Sequence, residues 1–321
     1  MSQHSGSPTV VGLLLCRDGH DRKGYDMKGM TRVERRVADG FGDAFAEGLT
    51  MGFTGRRRNV EPAEAWAAFR EAAGFKRSAA AILTSAASQH KLSMSEQFTV
   101  GLMLTPERGI MRDEFAALRE AYGLDGVWNL CPMASMGCAA ACLSFSGQSG
   151  MPAQQFAQGV RTLFMLHDPA SFGYLIGFEL GKAAAKHGRV AVRLNTVSDI
   201  RWELVAPDMI GLARECGIEM YDYTKWSAEQ RPESADYDLT RSASERHSVA
   251  DIVDLVQRGE RVAVPFFAGK DEAFPSTWQG VPVIDGDTSD YRPADRKGAV
   301  LALRVKGHKG KRDDSGFIRN L

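Results

Sequence analysis

Past residue 150 the chain alternates helix-length segments with short β-forming runs, and this alternation restricts its fold more than any other feature. Pro152 opens a helix to about Leu166, and Asp168-Pro169 supplies the N-cap and first turn of a second. Phe172, Leu175, Ile176 and Leu180 mark the buried face of that second helix, and Gly188 follows its end. Strand Val190–Asn195, helix Pro207–Cys216, strands Ile218–Thr224 and Tyr237–Arg241, and helix Val249–Arg258 come next. Strands Arg261–Phe267, Val281–Asp285 and Ala299–Val305 close the series. Strands separated by helices of ordinary length predict βα units and a parallel sheet. About six or seven units, counted from the apolar run Gly126–Leu130, predict an α/β fold of the partial or full (βα) barrel type.

The loop behind that first run reads Cys131-Pro-Met-Ala-Ser-Met-Gly-Cys138-Ala-Ala-Ala-Cys142 and holds three of the five cysteines. Thiolates are soft ligands, and three from one loop suit zinc or an iron–sulfur cluster. No fourth cysteine is near, so a metal held by Cys131, Cys138 and Cys142 would keep one position open, as a reactive centre does. A [4Fe–4S] cluster is the expectation. Two plainer readings stand beside it. One is structural zinc completed by His167 or Asp199; the other is cysteines packed as small apolar residues. Cys16 and Cys216 are isolated and read as core.

In a barrel, ligand chemistry gathers at the C-terminal strand ends. Strand Val190–Asn195 puts Val190, Val192 and Leu194 on one face and Arg193 and Asn195 on the other, with Ser198 and Asp199 just beyond. Arg193, Asn195, Ser198 and Asp199 are therefore the cofactor-binding candidates, with an internal salt bridge as the structural alternative. Tyr221, Asp222, Tyr223, Lys225, Arg241, Asp285 and Asp287 are the substrate-side candidates. The tyrosines and Lys225 suit an anionic substrate; as core residues they would instead have their polar tips satisfied. Asp285-Gly286-Asp287, with Asp290, fits either a hard cation or ordinary turn chemistry. Lys306, Lys309, Lys311 and Arg312 form a basic run that suits a nucleic-acid backbone or a solvated tail.

Residues 1–78 read as a mostly helical extension preceding a barrel domain over 79–321. Val10–Cys16 is strand-like, Thr31 and Glu34 stand at capping-box spacing, and Pro62 begins a helix with Trp66, Phe69 and Ala73 on one face. Arg56–Arg58 is a small basic loop. Basic and acidic residues balance at 40 each, so global charge does not select a nucleic-acid or membrane partner. The N-terminus lacks a signal-peptide pattern and no apolar run is long enough to span a bilayer, so a soluble cytoplasmic protein is expected.

Cys-Pro-x-Ala-Ser-x-Gly-Cys-x-x-x-Cys-Leu resembles the phage "gene product eighty-eight" family, as does Arg193-Leu-Asn-Thr-Val-Ser-Asp-Ile-Arg-Trp-Glu203. Tyr221–Lys225, Tyr237–Ser242, Asp285–Asp287, and Lys306-Gly with Ser315-Gly-Phe continue the likeness, which runs from about Leu83 to the end. Ser88-Gln-His-Lys-Leu92 stands where that family has Gly-Asn-x-Lys-Leu. The resemblance implies a phage or mobile-element origin. More loosely, the chain is similar to radical S-adenosylmethionine enzymes. That likeness implies a partial barrel whose three-cysteine loop holds a [4Fe–4S] cluster, with S-adenosylmethionine on its open iron. The spacing differs from that group's C-x3-C-x2-C, and no Gly-Gly-Glu-Pro stretch follows the second strand. An iron–sulfur enzyme is thus expected, against a non-catalytic accessory protein that binds nucleic acid or a host protein.

Overall fold

The computed structural model describes residues 29–56, 58–75, 81–85 and 97–321. The expected strand Val10–Cys16 and the Ser88–Leu92 stretch lie outside the described residues. Helix α1 (Arg32–Ala38) starts at the expected capping box, with Thr31 Oγ1 accepting from Glu34 N and the Glu34 carboxylate accepting from Thr31 N. Helices α2 (Phe41–Phe53) and α3 (Val60–Ala72) follow, and Gly74 ends α3 at φ 69°. Later come α4 (Ala116–Ala121), α5 (Met136–Ala140), α6 (Pro152–His167), α7 (Pro169–His187), α8 (Pro207–Glu215) and α9 (Val249–Gln257). Asp168 caps α7 as its sequence position predicts, accepting from Ser171 N.

Nine strands form one sheet in the order β1-β2-β3-β4-β5-β6-β9-β8-β7. They are β1 (Thr84–Ser85), β2 (Phe98–Gly101), β3 (Val190–Arg193), β4 (Ile218–Thr224) and β5 (Tyr237–Ser242), then β6 (Arg261–Phe266), β7 (Thr277–Trp278), β8 (Val281–Asp285) and β9 (Ala299–Arg304). From β2 across to β8 every pairing is parallel, and a two-residue antiparallel strand lies at each edge. The expected barrel is corrected here. The sheet is open, because short β1 and β7 occupy its two edges and no pairing joins them. The first parallel strand is also corrected, from Gly126–Leu130 to β2. Gly126 adopts φ 118°, which interrupts extended structure, and the irregular segment buries Trp128 and Leu130, with the Arg32 guanidinium 4.0 Å from the Trp128 ring centre.

Strand order mostly follows chain order in one direction, so right-handed crossovers place the connecting helices on one side of the sheet. The strand registers separate the two faces. Val190, Val192, Ile218, Met220, Tyr237, Leu239, Val262, Val264 and Val300 share one face and pack under the helices. Arg193, Glu219, Tyr221, Tyr223, Asp238, Thr240 and Arg261 share the other, which is polar. Segment Gly286–Asp295 lies against that polar face: Asp290 pairs with Arg193, Tyr291 bonds Glu219, and Arg261 donates to the Arg292 and Asp295 carbonyls.

The helices before residue 78 are built into the same core. Val33, Val37, Phe41, Phe45, Leu49, Trp66 and Phe69 belong to one apolar cluster with strand residues such as Val190 and Ile218. Helices α2 and α7 meet backbone to backbone through Gly48 and Gly52 on one and Gly173, Gly177 and Gly181 on the other. A Cβ on Gly177 would stand 2.8 Å from Leu49 N and closer still to the Phe45 carbonyl oxygen. Glu34 then ties α1 to the loop after β3, accepting from Arg201 N at 3.0 Å, Nε at 2.9 Å and Nη2 at 2.8 Å.

Candidate functional site

The cysteine loop belongs to the long connection after β2 and lies across the C-terminal ends of β3, β4 and β5. Leu130 O accepts from Asp199 N at 2.8 Å, and Cys131 Sγ lies 3.5 Å from Val197 O, which fixes the loop to the turn after β3. Helix α5 carries Cys138 and is capped by Ser135, whose hydroxyl accepts from Cys138 N at 3.3 Å. Glu245, just beyond β5, accepts from Gly137 N at 2.8 Å and from the Ser135 hydroxyl. The chain's last segment closes on the same spot: a Cβ on Gly137 would stand 2.5 Å from the Phe317 Cβ. Arg319 meanwhile extends the end of β6, exchanging backbone hydrogen bonds with Pro265 and Phe267 at 2.8 Å each.

Cys131, Cys138 and Cys142 are all free thiols of intermediate exposure. Burial, followed by the Asp199 carboxylate, pushes the Cys131 thiol far above its usual range, and Lys225 offsets this in part. Burial also pushes Cys142 up, and the Cys138 sulfur adds to the shift. Burial alone would lower the Lys225 ammonium; Cys138, Asp199 and Cys131 outweigh it, so the net shift is upward. The three sulfurs and one lysine therefore act on one another electrostatically. Among the described residues, no three Cys, His, Asp or Glu side chains are gathered closely enough to hold a metal ion as they stand. His167 stacks on Phe69 and meets Tyr122 at a tilt, at 5.6 and 4.3 Å between ring centres, so it is packed among the aromatic rings of the helical layer.

The candidates around the strand ends divide into two sets. Asn195 is 1% exposed, and its carboxamide is fully used. Nδ2 donates to Ile200 O and Asp222 Oδ2 at 2.8 Å each, while Oδ1 accepts from Ser198 Oγ and Ile200 N at 2.9 Å each. Asp199 accepts from Thr224 Oγ1 at 2.8 Å and Lys225 N at 2.7 Å, with Arg231 Nη1 at 3.4 Å. Asp222 also accepts from Tyr237, and burial pushes its carboxyl up to about 6 against the pull of Arg231 and that hydroxyl. Arg241 is spent on Glu260, Trp226 O and Arg231 O. These residues stitch the ends of β3, β4 and β5 together on the helix-covered side, whereas alternation alone had put Asn195 beside Arg193.

Arg193, Tyr221 and Tyr223 form the second set, on the polar face, while Lys225, just past the end of β4, acts on the cysteine sulfurs. The Arg193 guanidinium lies 4.4 Å from the Tyr223 ring centre and 3.2 Å from Asp290. Asp285 and Asp287 serve a turn: Asp285 Oδ1 accepts from Asp287 N at 2.9 Å, Arg304 bridges Asp285, and Lys306 pairs with Asp287 at 2.8 Å. Lys311 and Arg312 are exposed. Ser135 was readable as a cap three residues before Cys138. Glu245 and Arg231 carried no local signal, because their partners are distant in sequence: Glu245 bonds Gly137 from 108 residues away, and Arg231 bonds Glu203 from 28.

Fold and site together define an open α/β sheet protein, helix-covered on one side, with a three-thiol loop over its C-terminal edge. The chain matches the Gene product 88 family over residues 82–321 and belongs to that phage gene-product family. No curated protein and no solved structure matches it. The family match covers the first resemblance drawn from the sequence, and no match carries the looser one to radical S-adenosylmethionine enzymes. Among the described residues no helix is long and apolar enough to cross a membrane.

Proposed function

We propose that Cys131, Cys138 and Cys142 hold a [4Fe–4S] cluster and that the protein is an iron–sulfur enzyme. The observation supporting this is the placement of three free, mutually interacting thiols over the C-terminal edge of a parallel sheet, against Lys225. The donor set suits the group: three soft ligands and no competing disulfide. When bound, the cluster would supply an iron with an open position for S-adenosylmethionine or for the substrate itself, and a route for one electron.

The chain's own residues do the remaining work. Burial makes a bare thiolate costly at Cys131 and Cys142, so binding a soft cation is what would deprotonate them. Lys225 sets a positive charge against Cys138 and offsets the thiolates. Glu245 fixes the helix that carries Cys138. Asn195, Ser198 and Asp199 hold the floor rigid through bonds to one another and to β4, and Arg193 and Tyr223 face the second reactant. Loading requires the sulfurs to draw together from where they stand.

Anaerobic purification followed by iron, sulfide and zinc analysis tests the reading. About four irons per chain with matching sulfide, lost on Cys138→Ala, is the expected result. A colourless, iron-free protein after reconstitution refutes it. Stoichiometric zinc in place of iron would instead make the loop a structural staple.

A further inference from the structure

The polar face carries buried donors that no described residue accepts from. Tyr221 is 0% exposed, and its hydroxyl has no hydrogen-bond partner among the described residues. Arg193 Nε and Arg292 Nε are likewise buried and unmatched. Arg292 Nη1 and Asp295 Oδ2 also lack hydrogen-bond geometry, but they stand 2.8 Å apart as an ion pair and so answer each other. Arg193 and Tyr221 lie side by side on neighbouring strands of this face, and the segment over them brings Asp290 to Arg193 and Tyr291 to Tyr221, with Arg292 the next residue along. Tyr221 meets Tyr291 edge-on at 6.1 Å between ring centres.

Buried polar groups in native proteins are almost always paired, and leaving one unmatched costs more than a formed bond contributes. Here every leftover group can donate. A ligand that matches them must bring acceptor oxygens. Neighbouring Arg261 is no alternative donor, being spent on Thr240, Asp238 and the Arg292 and Asp295 carbonyls. The face is not sealed: the Arg193 side chain is 13% exposed and Tyr223 is partly open.

We propose that this face binds an oxyanion, the carboxylate or phosphate group of a small ligand, through Tyr221 Oη, Arg193 Nε and Arg292 Nε. Tyr223, already held flat by the Arg193 guanidinium, offers a ring face to whatever the oxyanion is attached to. The site goes beyond the metal reading and does not need it, so iron analysis and anion binding can fail separately.

The test is calorimetric titration of the full-length chain with inorganic phosphate and, separately, with acetate. Saturable binding of one of them is expected and tells which group the site takes. Tyr221→Phe should weaken that binding about tenfold, since one hydrogen bond to a charged oxygen is lost. The ligand-free Tyr221→Phe protein should unfold at the same temperature as the parent or higher, because the variant removes an unmatched hydroxyl and keeps the ring. Arg193→Gln should weaken binding at least as much. The proposal is overturned if neither anion binds saturably, if Tyr221→Phe binds as tightly as the parent, or if that substitution alone lowers stability sharply. The last result would mean that the hydroxyl already has a structural partner.

Discussion

Substituting Gly177 by alanine probes the contact that joins the N-terminal helices to the rest of the protein. The added Cβ would meet Leu49 N at 2.8 Å, against 3.4 Å or more for ordinary contact, and the Phe45 carbonyl oxygen is nearer still. Both obstacles are backbone, so no side chain can swing away, and α2 and α7 must part by at least about 0.6 Å. A gap of that size forfeits about a quarter of the dispersion energy of each atom pair it opens. Overpacking of a core generally costs about 1–3 kcal/mol, and alanine's better helix propensity returns at most about 1 kcal/mol. A net loss of about 1–2 kcal/mol follows, which for a chain of this size is a fall in Tm of about 1.5–3 °C. Gly211, in α8, is the control, since nothing lies within 4 Å of its added Cβ and its φ is not positive. Gly211→Ala should therefore stabilise by about 1 kcal/mol. Urea unfolding followed by circular dichroism, with the slope checked for constancy, reads both variants. If Gly177→Ala is as stable as the parent, or shifts in the same direction as Gly211→Ala, close backbone packing is not what seats α2.

Further outcomes can be checked alongside. Glu34→Ala strands the buried Arg201 guanidinium and should cost about 3–5 kcal/mol by the same unfolding assay. Burial would raise the Glu34 carboxyl, but the Arg201 bonds outweigh it and hold it low. Its contribution is thus present above the ordinary carboxylate range and lost as pH falls through the lowered value. Glu179 is opposite in sign: burial raises it to about 7, against the pull of the Ile82 and Leu83 amides, Arg161 and Arg58. Its contribution is full at low pH and lost as pH rises through about 7, so Glu179→Gln should flatten the parent's decline in midpoint between about pH 5 and 8. Glu245→Ala releases Ser135 and Gly137, and iodoacetamide should then label the loop cysteines faster, as read by mass spectrometry. Unchanged labelling rates would show that Glu245 does not hold the loop.

Local signals in the chain were enough to place most elements. Strands Ile218–Thr224 and Val281–Asp285 fall where alternation puts them, and Thr31, Asp168 and Gly74 act as caps and stops. These depend on neighbours a few residues apart, which is the range over which backbone propensity and capping operate. The cysteine loop was also legible, because its three thiols lie within twelve positions.

What the tertiary structure alone decided is how those elements meet. Closure of the sheet depends on which strands reach its edges, and two-residue β1 and β7 carry no pattern that announces an edge. Gly126–Leu130 has the composition of a strand, yet a left-handed glycine and the burial of Trp128 turn it into irregular chain. Asn195 and Arg193 look equivalent by alternation, but the strand ends at Arg193, and one residue of lost register sends Asn195 to Asp222 on the opposite face. Glu245 at the cysteine helix and Arg292 beneath Tyr221 reach their positions from far along the chain. The sequence therefore specifies a βα chain with a three-thiol loop. Long-range pairing, which no local window contains, determines what that loop faces.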